Sequence, residues 1–131
     1  MQYDEFISKV VERSDLDREA AEALTTATLR TLAERITGGE AEDLAAQLPA
    51  QLKPPLTAGV EEPAEPFDVA EFIRRVAERA GVDEDTALAS QGAIFSTLRE
   101  AVTPGELDDI ISQLPQEFRG LVGPPGAAGP G

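Results

Sequence analysis

Apolar residues recur along this chain at helical spacing, in blocks that follow one another in the same order twice. Tyr3, Phe6, Ile7 and Val10 form one stripe, and Val69, Phe72, Ile73, Val76 and Ala80 form its later counterpart. Positions three and four apart lie on one face of a 3.6-residue helix, so each set predicts a one-sided helix. A second, longer helix is expected from Asp17 to about Ile36, with Thr28, Leu29, Leu32 and Ile36 on its apolar face, and again from Asp83 to about Val102, with Ile94, Phe95, Leu98 and Val102. A third carries Ala41, Leu44, Ala45 and Leu48, answered by Leu107, Ile110, Ile111 and Leu114, each set at i, i+3, i+4 and i+7. Nothing alternates with the period of two that a half-buried strand requires. The fold class predicted is all-α.

The two blocks are related by a fixed shift. Moving the chain by 66 residues aligns residues 5–53 with 71–119 without a gap, and 20 of the 49 pairs are identical. A period this long, present only twice, points to an internal duplication and not to an open solenoid. The expected architecture is an internally duplicated helical bundle, two three-helix repeats sharing one core, because a triplet this small buries too little apolar surface alone. The first repeat is read as residues 1–53 and the second as 67–122. Residues 54–66, rich in proline and acid, read as an extended linker, and the glycine and proline residues of 123–131 as a flexible tail.

Start and stop signals agree with these boundaries. Asp17 and Asp83 suit N-caps of the long helices, and Asp68 with Glu71 suits a capping box. Gly81 is placed for a left-handed stop after the first helix of the second repeat, and the first repeat has no such glycine. Thr37-x-x-Glu40 and Thr103-x-x-Glu106 also fit capping boxes, with Gly38 and Pro104 at the first helical position. Pro49 and Pro115 end the third helices or open a short turn holding Leu52 and Phe118. The repeated Thr-to-Pro run is therefore read as a helix start and stop. Ala23, Ala27 and Thr31, matched by Ala89, Ala93 and Thr97, are read either as ordinary helix formers or as a small-residue seam between the long helices. Glu12-Arg13 and Glu78-Arg79 are read as solvated charges at a helix end. Ser90 and Gln91, where the first repeat has Leu24 and Thr25, mark either a small pocket or partner surface beside the core or a tolerant surface position.

Charge and composition narrow the function. With 25 acidic against 11 basic residues the formal charge is -14, and no segment is basic. Such a field repels phosphate backbones and anionic lipid, so neither nucleic acid nor a membrane is expected as a partner. No stretch approaches the roughly 18 apolar residues of a membrane span, and the N-terminus has no signal-peptide core, so the expected location is cytoplasmic. The absence of His and Cys removes the usual zinc sites, Ser-His-Asp and Cys-His catalysis and the Glu-x-x-His di-iron pattern. A calcium loop counted from Asp15 or Asp83 would place Ala20 or Leu88 where glycine is needed and Thr26 or Ile94 where glutamate is needed. No catalytic, cofactor-binding or metal-ligating residue is assigned, and no cofactor is expected.

The runs "YDEFISKVVER", "LDREAAEALTTATLRTLAERITGGEAEDLAAQLP" and "LREAVTPGELDDIISQLP" together resemble a prokaryotic family catalogued as domain of unknown function 2267, over about residues 1–122. That resemblance implies a small duplicated all-helical protein and carries over no catalytic residues. Residues 5–40 are also similar to the helical half of the histone-like nucleoid proteins, but the strands and basic arm that would follow are absent and the charge is reversed. The expectation is a non-catalytic acidic helical module, monomer or homodimer, acting by association with an unidentified protein partner or by regulation. The alternative is a carboxylate-based ligand- or Mg²⁺-binding protein, or enzyme, with its site in the crevice between the repeats.

Overall fold

The computed structural model describes residues 1–57, 64–114 and 116–118, and among these every regular element is a helix. In chain order they are α1 (Tyr3–Ser14), α2 (Arg18–Arg35), α3 (Gly38–Ala46), α4 (Lys53–Thr57), α5 (Val69–Ala80), α6 (Glu84–Ala101) and α7 (Pro104–Ser112). Two single 3₁₀ turns, Ala50–Leu52 and Gln116–Phe118, follow the prolines at 49 and 115. Under the 66-residue shift α1 corresponds to α5, α2 to α6 and α3 to α7, and the lengths in each pair are equal at 12, 18 and 9 residues.

Local chemistry explains most boundaries. Asp17 accepts a hydrogen bond from the Ala20 amide at 2.8 Å, and Asp83 from Thr86 at 2.7 Å, which satisfies one of the free N–H groups at each start. The Thr86 amide holds the Asp83 carboxyl below its ordinary pKa. Gly81 ends α5 with φ 72°, the left-handed conformation that costs glycine least. In the first half Asp15 takes the same conformation at φ 62°, carrying a Cβ where its counterpart has none.

The core is one continuous cluster drawn from both halves, with Phe6, Phe72, Phe95 and Phe118 its largest wholly buried side chains. Its assembly is crossed: α1 lies more against α6 than against α2, and α5 more against α2 than against α6, while α4 packs on α2 and α3 within the first half. Phe72 meets Phe118 edge to face at 5.3 Å. The stretch before α5 is tied down, since the Glu65 amide donates to the Glu34 carbonyl and Arg35 donates to the Phe67 carbonyl at 2.9 Å. Arg75 lies 4.1 Å from the centre of the Phe67 ring.

Several expectations are corrected. The linker does not begin at Pro54: residues 53–57 form α4, with Leu56 wholly buried. Prolines at the second and third positions of a helix cost no hydrogen bond, because those N–H groups have no partner within the helix. Residues 58–63 of that stretch, and the tail 123–131, lie outside the described residues. Thr103 makes no side-chain cap; its amide instead donates to Gln47 Oε1 of the opposite half at 2.7 Å. Thr31 and Thr97, read either as ordinary helix formers or as part of a seam between the long helices, each face the opposite half's first helix. Ser90 and Gln91 are not a tolerant surface but are buried, and Gln91 Nε2 donates to Thr28 across the crossing of α2 and α6 at 3.1 Å.

Candidate functional site

Two arrangements join the halves through side chains that carry charge. The first is a pair of reciprocal clamps. Arg79 of α5 donates to Thr31 at 2.9 Å and grips Glu34 through both terminal nitrogens at 2.8 and 2.7 Å, with Arg75 adding a third donor to Glu34 at 3.1 Å. In the opposite sense Arg13 of α1 donates to Thr97 at 3.1 Å and pairs with Glu100, which also receives Lys9 at 2.7 Å. Each residue of one clamp is the 66-residue counterpart of a residue in the other. The arginines read from sequence as solvated charges are thus bound across the contact between halves. Arg79 and then Arg75 hold the Glu34 carboxyl below its ordinary pKa, and Lys9 with Arg13 does the same for Glu100. These clamps are saturated, each carboxylate facing its own cations, so they serve cohesion.

The second arrangement, among the described residues, is made of acids alone. Glu40 and Glu106 are the third residues of α3 and α7, where a capping box would turn each carboxylate back to its own threonine amide. Only half of one box forms: Thr37 accepts from the Glu40 amide at 3.3 Å. The Thr103 amide is already taken by Gln47, and Glu106 Oε1 is buried without a hydrogen-bond partner. Released from capping, the glutamates converge, and carboxylate oxygens of Glu40, Asp43 and Glu106 all lie within 4.8 Å of one another. Asp109, the counterpart of Asp43, is close enough to act on the same group. Burial first, and then the charges of Asp43, Glu40 and Asp109, push the Glu106 carboxyl above its ordinary pKa. The helix starts at Thr37 and Thr103 supply partial positive charge here, which moderates the repulsion without cancelling it.

Such a donor set suits a hard cation bound by oxygen. Calcium, with ligands at about 2.4 Å, places opposite oxygens about 4.8 Å apart, whereas magnesium at about 2.1 Å requires about 4.2 Å. Oxygens that all lie within 4.8 Å of one another can reach a single ion of either kind, and magnesium, which sheds its water reluctantly, is the weaker candidate. Among the described residues the charges that act on Glu106 are those of Asp43, Glu40 and Asp109, all acidic.

The family follows from the whole chain and not from this cluster. A family model described as "Uncharacterized conserved protein (DUF2267)" matches residues 3–121. The chain belongs to that family. Its matched span contains both clamps and the carboxylate cluster, and no curated protein matches the chain. Among the described residues no helix is long and apolar enough to cross a membrane.

Sequence reasoning had every letter of the cluster. Glu40 and Glu106 are identical across the shift, as are Asp43 and Asp109. The capping explanation absorbed them, and a chain by itself does not reveal that Gln47 will take the amide that Glu106 was expected to cap.

Proposed function

We propose that this member of the DUF2267 family is an internally duplicated helical module, without catalytic chemistry of its own, that binds a divalent cation between its halves. The ligands are Glu40 and Asp43 from the first half and Glu106 from the second, with Asp109 adding charge. One observation carries the reading: three carboxylates meet within 4.8 Å, one oxygen of Glu106 is buried and unpartnered, and among the described residues only acids act on its charge. At neutral pH the fold holds this cluster at a cost in repulsion, and a bound Ca²⁺ would offset it. Because its ligands come from α3 and α7, the ion would tie the halves together, which suits a regulatory role in which cation level sets the stability of the bundle. The binding of a protein partner has less in its favour, since Met1 and Leu88 are the only large apolar side chains exposed among the described residues.

The test is a thermal melt of the wild type, Glu106→Gln and Asp43→Asn in chelator, in CaCl₂, in MgCl₂ and in KCl of matched ionic strength. A ligand at 100 times its Kd adds about 2.7 kcal/mol to the folded state. The expected result is a calcium-dependent rise in the wild type that both variants lose, with magnesium weaker. In chelator Glu106→Gln should melt at or above the wild type, because it removes a charge that the fold disfavours. An equal response to calcium in all three proteins, matched by KCl, would reduce the effect to screening and end the proposal.

A further inference from the structure

We infer that the contact between the halves is open to a second copy of this chain, which can supply either half and give an exchanged dimer with every clamp made between chains. The inference rests on the reciprocity of the clamps and not on cation binding. Residues 1–57 contain a donor, Arg13, and the acceptors Thr31 and Glu34; residues 64–118 contain Arg79 with Thr97 and Glu100. No half uses its own acceptors: Arg13 reaches Thr97 and Glu100, and Arg79 reaches Thr31 and Glu34. A surface that offers the same donor and the same acceptors in both directions is isologous, the form that closes a two-fold dimer. The first and second helices of each half also pack mainly across, α1 on α6 and α5 on α2, so each half leaves these faces to be filled by the other. Nothing in these contacts specifies that the complementary half must come from the same polypeptide.

Of two polar contacts between the halves, one makes unlike halves the preferred pairing. Gln91 Nε2 donates to Thr28, and Gln47 Oε1 accepts from the Thr103 amide. The counterpart of Gln91 is Thr25 and that of Thr28 is Ile94, so two like halves cannot reproduce the first of these. The covalent connection from Thr57 to Ala64 reaches about 25 Å at full extension, enough to pass between adjacent globules. A connection this short gives the intramolecular contact an effective concentration on the order of millimolar. The wild type should therefore be monomeric at micromolar concentration and exchange when refolded at millimolar concentration.

Full-length charge-reversed variants isolate the effect at low concentration. In Arg13→Glu/Arg79→Glu both clamps are repulsive within one chain, and in Glu34→Arg/Glu100→Arg they are repulsive in the opposite sense. An exchanged pair of one of each restores attraction between positions 13 and 100 and between positions 79 and 34, while Arg75 and Lys9 lie beside the introduced arginines in either arrangement. Equimolar co-refolding from urea, followed by light scattering and a melt, should give a 1:1 dimer with a single transition above those of both parents refolded alone. A chain carrying all four substitutions should be monomeric and melt above both parents. Two monomeric species retaining their parental transitions would overturn the inference, as would a mixture that stays unfolded. Wild type refolded at millimolar and at micromolar concentration gives a second measure: a doubled mass appearing only in the former is expected, and a monomer in both would count against exchange.

Discussion

Replacing Glu34 by glutamine keeps the shape of the side chain and removes its charge, so it measures how much the clamp contributes. Glu34 accepts from Arg79 at 2.8 and 2.7 Å and from Arg75 at 3.1 Å. Its side chain is 28% exposed, and those of Arg79 and Arg75 are 26% and 19% exposed. Wholly exposed pairs are worth about 0.2–1 kcal/mol, and hydrogen bonds to charged groups about 1.5–3 kcal/mol. A clamp of intermediate burial falls between, so Glu34→Gln should cost about 1–2 kcal/mol at pH 7. The arginines hold the Glu34 carboxyl below its ordinary value of 4.5. A depressed folded-state pKa contributes stability that is present above the ordinary value and is lost as pH falls through the folded value. The cost of Glu34→Gln should accordingly shrink towards zero as the pH drops below the ordinary glutamate range. At the matching position Glu100 is 40% exposed, so solvent screens it more and Glu100→Gln should cost no more than about 0.5 kcal/mol. Urea melts of the three proteins at pH 7 and near pH 3 decide the matter. A cost for Glu34→Gln that is the same at both pH values, or a larger cost at Glu100, would refute the electrostatic account and leave packing as the cause.

Leu32→Ala and Leu98→Ala, both wholly buried, should each cost about 2–5 kcal/mol through the cavity left behind, whereas Glu12→Ala on the exposed face of α1 should stay within about 0.5 kcal/mol; urea denaturation followed by circular dichroism separates them. Asp15→Gly should raise stability by about 0.5–1 kcal/mol by relieving a left-handed residue, and Gly81→Ala should lower it by about 1–2 kcal/mol; calorimetry showing the same sign for both would contradict the capping argument. Thr25→Val should stabilise by about 1 kcal/mol, because the Thr25 hydroxyl is buried without a partner and the substitution keeps its volume. Loss of stability in that variant would mean that the hydroxyl is satisfied in solution.

The helices themselves were legible because their causes are local. Asp17 and Asp83 were found as caps from their place before a periodic apolar run, and the structure has both side chains bonded to the amide three residues on. The same holds for the 3₁₀ turns after Pro49 and Pro115, since a proline that cannot continue a helix acts on its own neighbours. What the residues could not announce was the crossed assembly. Arg13 and Arg79 look like helix-end charges in any helical wheel, and only the placement of α6 beside α1 and α2 beside α5 turns them into clamps. α4 was missed for the opposite reason. Two consecutive prolines read as extended chain unless the helix is known to begin one residue before them, and the burial of Leu56 is what draws the segment onto the bundle.

The carboxylate cluster shows where local reasoning gives an answer that is complete and still insufficient. Thr37 and Glu40, like Thr103 and Glu106, satisfy every sequence criterion for a capping box, so the acids had an explanation and needed no other. Hydrogen-bond accounting in three dimensions removes that explanation at Glu106: its expected donor is committed to Gln47, and one carboxylate oxygen is left buried and alone. A glutamate that neither caps nor pairs, facing Glu40 and Asp43 from the other half, is destabilising in an unliganded bundle at neutral pH. Its raised pKa carries the same meaning as a stability statement, since a carboxyl whose folded-state value lies above the ordinary one contributes stability below that ordinary value and loses it as pH rises through the folded value. The isolated bundle should thus gain from protonation at Glu106 while losing at Glu34 and Glu100, and a bound cation would act in place of the proton at the first site without touching the other two. Calcium should then offset the stability lost as Glu106 deprotonates above the ordinary glutamate value and leave the losses at Glu34 and Glu100 at lower pH unchanged, an asymmetry that ionic screening does not produce.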